Sequence, residues 1–313
     1  MSSAVHRQQT KPPSVGFRHV RQRPVLYLML LLPIAYFLIF CYAPMWGLVI
    51  SFQEYNPFKG FLASEWVGLA NFRKFIGGMD FWPLLRNTFM LNVYSVIFAF
   101  PCPILFALVL SEVRWLPFKK TVQTITYLPH FISTVVIVSM LTLLLSPSDG
   151  FVNRVIVLFG GEARYFMGRP EYFRSVYILS GIWSGTGWGS IIYLAAITSV
   201  DVTLYDAALI DGANRWQRIL HITLPCISAT ISFTLIMRLG QMFSVGFEKV
   251  FLMANDANRS VADVLSTYVY RIGIIKSNYS FSTAVGFFNS LINLILVVGA
   301  NYAVKKMTGS GIW

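Results

Sequence analysis

Six long apolar segments constrain this chain more than any other feature of its sequence. Each has at least about 18 residues with few or no charges, enough for a helix to cross a bilayer, where lipid offers unpaired backbone groups no partner. The composition agrees, with 56% hydrophobic and 12% charged residues and a mean hydropathy of +0.61. We therefore predict an all-α polytopic membrane protein with six transmembrane helices. The segments are 25–52, 88–110, 124–145, 172–198, 226–247 and 281–304.

Several kinds of chemistry are missing from the sequence. It has no G-x-x-x-x-G-K-[ST] phosphate loop and no H-E-x-x-H motif, so we expect no catalytic residues, no metal site and no cofactor bound by this chain. The net charge of +12 is spread over the loops, which disfavours nucleic acid as a partner. The three cysteines have no disulfide or metal-site spacing. His130 is expected to be a satisfied interfacial residue and not a ligand.

No aspartate or glutamate lies inside the six segments as drawn. Proton- and sodium-coupled carriers commonly need such carboxylates on the path of the ion. Their absence disfavours an ion-coupled secondary sugar carrier, which is kept as the alternative of another class, and it disfavours an intramembrane enzyme. If the chain transports, we expect its energy to come from a partner.

The N-terminal tail predicts the orientation of the chain. Five basic residues precede the first apolar segment, and the short apolar core of a removable signal peptide is absent. We predict a cytoplasmic basic tail at 1–24, a membrane domain at 25–307 and a C-terminal tail at 308–313. Both termini and the loop 199–225 would then face the cytoplasm. The basic residues of the tail are Arg7, Lys11, Arg18, Arg21 and Arg23.

Polar residues recur at helical spacing in the last two segments, so each set falls on one helix face. Two interpretations stay open: helix-to-helix packing, which small and polar residues favour in lipid, and a polar wall along a translocation path. In the fifth segment the set is Thr230, Thr234, Arg238 and Gln241, and in the sixth it is Ser282, Gly286, Asn289 and Asn293.

The fourth segment contains SGIWSGTGWGS at 180–190. Its glycines allow close helix approach or local unwinding, and close packing is the favoured interpretation. Trp183 and Trp188 could stack on a sugar ring, which places them among the candidate path residues.

Arg238 is the most unusual of these polar residues. It lies 13 residues past Pro225, so at ~1.5 Å per residue it sits ~20 Å into the fifth segment, near the middle of the membrane. One interpretation is a structural arginine satisfied by Gln241, by nearby carbonyls or by a partner chain. The other is an arginine that attracts an anionic substrate, because a guanidinium matches a carboxylate geometrically. On this basis we expect uronate-containing oligosaccharides over neutral ones, which remain the alternative.

The stretch YDAALIDGANRWQRILHITLP at 205–225 is half polar, yet it lies between two apolar segments. It can form two short helices and a turn. Asp201 or Thr203 would cap the first helix, Gly212 suits the left-handed position that ends it, and Asn214 would cap the second. Pro225 marks the entry to the fifth segment. The default interpretation of such a stretch is a surface helix pair lying flat on the membrane.

This stretch resembles the cytoplasmic coupling loop of ABC importer permeases, whose E-A-A motif continues with three residues, G, nine residues and I-x-L-P. Six of the seven motif positions match, and the seventh is Asp206 in place of glutamate. Val202 stands where relatives often have proline. Further stretches, such as YLPHFISTVV at 127–136 and VLSTYVYRIG at 264–273, resemble sugar-importer permeases of the maltose and glycerol-phosphate type, closest to the branch for polysaccharide breakdown products such as alginate. The motif residues are Asp206, Ala207, Ala208, Gly212, Ile222, Leu224 and Pro225.

The resemblance implies a type I ABC importer transmembrane domain in a bacterial inner membrane. The helix pair would insert into a cleft of a cytoplasmic ATPase, with Asp206 meeting a basic residue and Asp211 and Ala213 flanking the bend at Gly212. The implied partners are a second permease in a heterodimer, two ATPase subunits that hold ATP and Mg, and a periplasmic or lipid-anchored solute-binding protein. The implied substrate is an oligosaccharide. A purely structural membrane subunit would not need the coupling loop.

Overall fold

The computed structural model describes residues 24–308, and these are mostly helical. Nearly all of the predicted tails, 1–24 and 308–313, therefore lies outside the described residues. The chain divides into two compact units, residues 1–49 and 50–313. Within the described part of the first unit, α1 continues into a π-helical and then a 3-10 segment, and its apolar side chains are largely exposed.

Seventeen α-helices, six π-helical or 3-10 segments and two short strands make up the described residues. The α-helices are α1 Pro24–Tyr36, α2 Gly60–Ala63, α3 Ala70–Ile76, α4 Phe81–Tyr94, α5 Pro101–Ser111, α6 Leu116–Tyr127, α7 Thr134–Leu144, α8 Phe151–Leu158, α9 Pro170–Thr198, α10 Val202–Ile210, α11 Arg215–Arg218, α12 Leu224–Cys226, α13 Ser228–Gly240, α14 Phe247–Met253, α15 Arg259–Ala262, α16 Leu265–Tyr270 and α17 Tyr279–Thr308. The π-helical segments are Phe37–Tyr42, Ser95–Ala99, Ile219–Thr223 and Arg271–Ile275, and the 3-10 segments are Ala43–Phe52 and Leu128–Phe131. The strands β1 Gln53–Glu54 and β2 Glu65–Trp66 pair antiparallel, with Gln53 opposite Trp66.

By length and composition, the described residues contain up to six membrane spans, as the sequence predicts. Three are continuous helices, and three are pairs of helices joined at a sharp bend. The continuous spans are Tyr27–Phe52, Phe81–Ser111 and Tyr279–Lys306. The bent pairs are Leu116–Phe131 with Thr134–Leu144 at 100°, Pro170–Thr198 with Val202–Ile210 at 70°, and Arg215–Cys226 with Ser228–Gly240 at 62°.

The prediction of one helix over 124–145 is wrong for the third span, which contains two helices. Proline at 129 has no N–H to donate into the helix, and Ile132 is extended. A new helix then begins at Thr134, because the Ser133 side chain accepts a hydrogen bond from the Val136 N–H. The span is thus two helices with a bend near its middle.

The fifth span also differs from the predicted helix over 226–247. A bend at Ile227 separates α12 from α13, and α13 ends at Gly240. Gln241 is the residue that follows the helix, so it does not continue the face of Thr234 and Arg238 as its spacing predicted. The helix ends here because a glycine has little propensity to continue it. Gly240 also lies against α17, since a Cβ there would be 2.2 Å from Val297 Cγ2.

Buried apolar side chains form three clusters among the described residues. One joins α4, α7, α9 and the segment from α14 to α16 around Leu91, Phe173 and Val250. A second joins α5 and α9 to the start of the fifth span around Ala107, Tyr193 and Ile219. The third joins α3 and α4 to α16 and α17 and has the members Phe75, Phe81, Leu84, Leu265, Tyr268, Phe281 and Val285.

The glycines of the fourth span allow α9 to touch α6 closely. A Cβ on Gly187 would lie 2.0 Å from the backbone oxygen of Thr126. Gly189 faces Pro103 of α5, with a Cβ-to-Cγ distance of 3.1 Å, whereas Gly185 has open space within 4 Å. For Gly187 and Gly189, the structure therefore supports the packing interpretation.

We predict that Gly187→Ala destabilises the protein and that Gly185→Ala does not. The added methyl at 187 would push α9 away from the α6 backbone, and overpacking of this kind costs about 1–3 kcal/mol. The check is the thermal unfolding midpoint of each purified variant in detergent. Equal midpoints for the two variants would contradict the close approach at Gly187.

Candidate functional site

The loop 199–225, which we call the coupling loop, begins with a helix whose two ends are both defined by sequence-local contacts. Asp201 caps it by accepting a hydrogen bond of 2.9 Å from the Thr203 N–H, which lowers the pKa of the Asp201 carboxyl. At the other end, Gly212 has a φ of +77°, which favours glycine. The Gly212 and Ala213 N–H groups donate to the carbonyls of Leu209 and Ala208, which is a Schellman C-terminus. The predicted cap and bend are confirmed.

The second helix begins with a capping box. Asn214 Oδ1 accepts from the Gln217 N–H at 2.9 Å, and Gln217 Oε1 accepts from the Asn214 N–H at 2.7 Å. The helical path then continues through the π-helical segment to Cys226, so this helix is the start of the fifth span. The Tyr205 hydroxyl lies 2.9 Å from the Thr223 hydroxyl and ties the two helices of the loop together.

The outward surface of the coupling loop combines exposed carboxylates with exposed apolar side chains. Asp206 and Asp211 are exposed, Ala207 is exposed, and Ala208 and Ala213 are half-buried. An apolar surface of this size on a polar loop is typical of a protein contact. The exposed apolar residues are Val202, Leu204, Leu209, Ile210, Trp216 and Leu220.

The base of the coupling loop is anchored in the helix bundle. Ile219 is 8% exposed and packs in the cluster with Ala107 and Tyr193. A partly exposed ion pair of 4.0 Å joins Arg215 to Glu112, just past the end of α5. The loop therefore contacts α5, α9 and the start of the fifth span at once.

A hydrogen bond between α9 and α13 sets the relative depth of two predicted path residues. The Tyr193 hydroxyl lies 2.8 Å from the Thr234 hydroxyl. α9 ends at the coupling loop and the fifth span starts from it, so in the direction away from the loop Arg238 lies ~6 Å beyond this contact and Trp188 lies ~7.5 Å beyond it. The two side chains are therefore at similar depth.

Arg238 is exposed in this chain, and its guanidinium donates to Ser95 Oγ. Ser95 is buried and starts the π-helical segment after α4, a local feature that is often found at functional sites. From the sequence, a structural Arg238 is expected to bind Gln241, nearby carbonyls or a partner chain. In the structure its hydrogen-bond partner is Ser95. No described carboxylate forms an ion pair with Arg238.

Trp188 stacks on His130, a contact that the sequence did not reveal. The rings are parallel within 2°, with centroids 4.5 Å apart, and Phe131 packs edge-on against the indole. Trp188 is 45% exposed and His130 is also exposed. The bend of the third span places His130 here; Pro129 and Ser133 mark that bend in the sequence, but hydrophobic periodicity does not. Trp183, one helical turn and a half earlier, is 49% exposed.

The two asparagines of the sixth span differ in their surroundings. Asn293 accepts from the Phe243 N–H at 2.9 Å and donates to Ser244 Oγ at 3.0 Å, so it fastens the turn after α13. This contact favours the packing interpretation for Asn293. Asn289 Oδ1 is buried and has no hydrogen-bond partner among the described residues.

Lys249 contacts the helix bundle, although the sequence predicts it to lie in the loop after the fifth segment. It lies on α14, outside the six spans, and its Nζ donates to the Tyr177 carbonyl at 2.9 Å. The same Nζ lies 4.6 Å from the centre of the Tyr177 ring, and burial lowers the pKa of Lys249 to about 8. The signal available in the sequence was a lysine only two residues beyond the predicted fifth segment.

Metal-ligating residues do not cluster in the described part of the chain: it holds no group of three or more His, Cys, Asp or Glu side chains placed to hold an ion. The polar side chains that the structure places beside the candidate path are hydroxyls, amides, an imidazole and cations. This set suits recognition of a hydroxylated or anionic molecule.

Comparison with known proteins gives a consistent set of similarities. Residues 22–309 match the family described as binding-protein-dependent transport system inner membrane component. The chain is 49% identical to the polygalacturonan/rhamnogalacturonan transport system permease protein YteP of Bacillus subtilis, over 93% of this chain and 91% of that protein. It is 46% identical to protein LplB of the same organism, over 92% and 91%. It also matches a chain in the crystal structure of a bacterial alginate ABC transporter in complex with an alginate pentasaccharide-bound periplasmic protein, with a TM-score of 0.88, 42% identity and coverage of 95% and 99%.

We predict that Asn214→Ala loosens the start of the second coupling-loop helix. Loss of an asparagine N-cap costs about 1 kcal/mol, so amide exchange at residues 215–218 should become about fivefold faster. Hydrogen exchange of the purified transporter checks this, with Asn214→Asp as the control because aspartate also caps. Equal exchange in the parent and in Asn214→Ala would contradict the role of the capping box.

Proposed function

The chain belongs to the binding-protein-dependent transport system inner membrane components, and on that premise we propose that it is the permease subunit of an ATP-driven importer for acidic, uronate-containing oligosaccharides. Such a subunit works by alternating access: the substrate passes between the spans while the bundle opens first to one side and then to the other. The relatives support the substrate class, since polygalacturonan and alginate are both built from uronic acids.

The observation that carries the substrate proposal is Arg238. A cation deep in a membrane span costs at least ~2.5 kcal/mol on insertion scales, so it is normally paired or directed at something polar. The Ser95 hydroxyl is neutral, and no described carboxylate forms an ion pair with Arg238. A substrate carboxylate would supply the missing charge. Trp188 at similar depth is 45% exposed although His130 stacks on it, so part of its ring remains accessible to a sugar, while Thr234 is engaged by Tyr193.

The proposed assembly follows from the surface of the coupling loop. Its exposed apolar side chains and Asp206 suit a cleft with a basic residue on an ATPase, two copies of which would hold ATP and Mg. A second, similar permease would complete the path in a heterodimer. A solute-binding protein, periplasmic or lipid-anchored, would deliver the oligosaccharide, with the termini and the coupling loop on the cytoplasmic side of the inner membrane.

The coupling loop is built to transmit movement. Its first helix is bound to the second by Tyr205 and Thr223, and the second helix continues into the fifth span. Ile219 packs against α5 and α9, so nucleotide-driven movement of an ATPase would shift several spans at once.

We predict that Gly212→Val uncouples ATP hydrolysis from transport, whereas Gly212→Asn keeps most of the coupling. At a φ of +77°, a β-branched side chain is strained, while asparagine tolerates the left-handed region. Asp206→Lys should also uncouple, by placing like charges across the contact. The measurement is the ratio of substrate transported to ATP hydrolysed in proteoliposomes. Parental ratios in both Gly212→Val and Asp206→Lys would refute a coupling role.

We predict that Arg238→Gln selectively lowers transport of uronate oligomers. The lost charged hydrogen bond should reduce the rate about tenfold, while neutral oligomers of equal length stay near the parental rate. Reconstituted complex with its solute-binding protein would be assayed with both substrate types, using Arg154→Gln as the control because Arg154 is largely exposed and outside the spans. A parent that transports only neutral sugars, or an unchanged Arg238→Gln variant, would overturn the acidic substrate.

A further inference from the structure

Three cations lie on or against α9, α4 and the π-helical segment that follows α4. Lys249 lies over the ring of Tyr177 and bonds to its carbonyl. Arg174 is one turn before Tyr177 on α9. It lies 6.0 Å from the ring centre of Tyr94 and donates to Asn87 Oδ1 at 3.4 Å. Arg238 donates to Ser95, the neighbour of Tyr94. Lys249 and Arg174 are thus linked through α9, and Arg174 and Arg238 contact neighbouring residues of α4 and its π-helical continuation.

None of the three cations has a carboxylate partner among the described residues. The ion pairs found there join Arg154 to Asp149, Arg215 to Glu112, Arg259 to Asp256 and Arg271 to Asp263. Glu171 lines the same cavity as Arg174 but forms no ion pair with it.

Most of the hydrogen-bonding capacity of these cations is unused. A lysine ammonium has three N–H donors and a guanidinium has five, and the structure gives each of the three cations one neutral acceptor. In addition, Arg174 Nε is buried and has no partner among the described residues. A cavity of about 570 Å³ adjoins Arg174 and Tyr94, so a ligand has room beside them.

We propose that Lys249 and Arg174 extend the Arg238 site into a three-cation track that binds successive carboxylates of one oligouronate. The inference rests on the proposed function and refines it by naming two further substrate-binding residues. An oligouronate carries one carboxylate on each sugar. Separate cations can therefore bind several of these carboxylates, which a neutral oligosaccharide lacks. A short oligomer reaches one cation, and a longer oligomer reaches more of them.

The alternative role for Lys249 is structural: it covers the Tyr177 carbonyl. Gly181 leaves room for the ammonium there, since a Cβ at residue 181 would lie 3.5 Å from Lys249 Nζ. The two roles differ in one consequence. A structural lysine affects all substrates alike, whereas a track residue changes the dependence on oligomer length.

The test is the initial transport rate of a uronate disaccharide and of a tetrasaccharide of the same sugar, in proteoliposomes with saturating solute-binding protein. Lys249→Gln and Arg174→Gln should each lower the ratio of tetrasaccharide rate to disaccharide rate about tenfold, the effect of one lost charged hydrogen bond. Lys249→Arg keeps the cation and should keep most of the ratio. Lys59→Gln, at an exposed loop lysine, should leave it unchanged.

Using a ratio within each variant removes differences in assembly and stability. If the Lys249→Gln and Arg174→Gln ratios equal the parental ratio, the track is wrong, while the acidic substrate and Arg238 are unaffected. If the parent transports neither uronate, the proposed function itself fails, so the two failures are distinguishable.

Discussion

The structure depends on one constraint: inside a bilayer, a polar group can only be satisfied by the protein or by what the protein binds. This requirement produces the helices, since helices satisfy their own backbone. It also explains why threonines 126 and 142 each donate a hydroxyl back to a carbonyl of their own helix. Polar side chains that cannot do this form hydrogen bonds to another helix, and these inter-helix contacts position the site.

The inter-helix contacts of these polar side chains fall into two kinds. Asn293 fastens the turn after α13, and Tyr193 joins α9 to Thr234, so both are satisfied by partners within the chain. Arg238 and Lys249 have only neutral partners and keep unused donors. The first kind holds the bundle together, and the second kind is available to a ligand. The same physical requirement therefore separates packing residues from candidate binding residues that sequence spacing alone could not separate.

The coupling loop obeys different physics, because it is half polar and joins the apolar parts of the fourth and fifth spans. Local chemistry specifies it: a cap at Asp201, a left-handed glycine at Gly212 and a capping box at Asn214. Such contacts involve residues at most five apart, which gives the loop a rigid shape of its own. Its attachment through Ile219 then makes the rigid loop part of the bundle.

The amino-acid sequence by itself predicted the apolar segments that form up to six spans, the family and the shape of the coupling loop, because these depend on apolar length, on local capping and on motif spacing. Tertiary structure alone decided three further points. Pro129 breaks the third span and brings His130 onto Trp188, the fifth helix ends before Gln241, and Lys249 folds back onto Tyr177. Each of these involves a bend or a contact between residues far apart in the chain. Periodicity assumes a straight helix, so it cannot locate the residue at which the direction changes or the distant side chain that is then met.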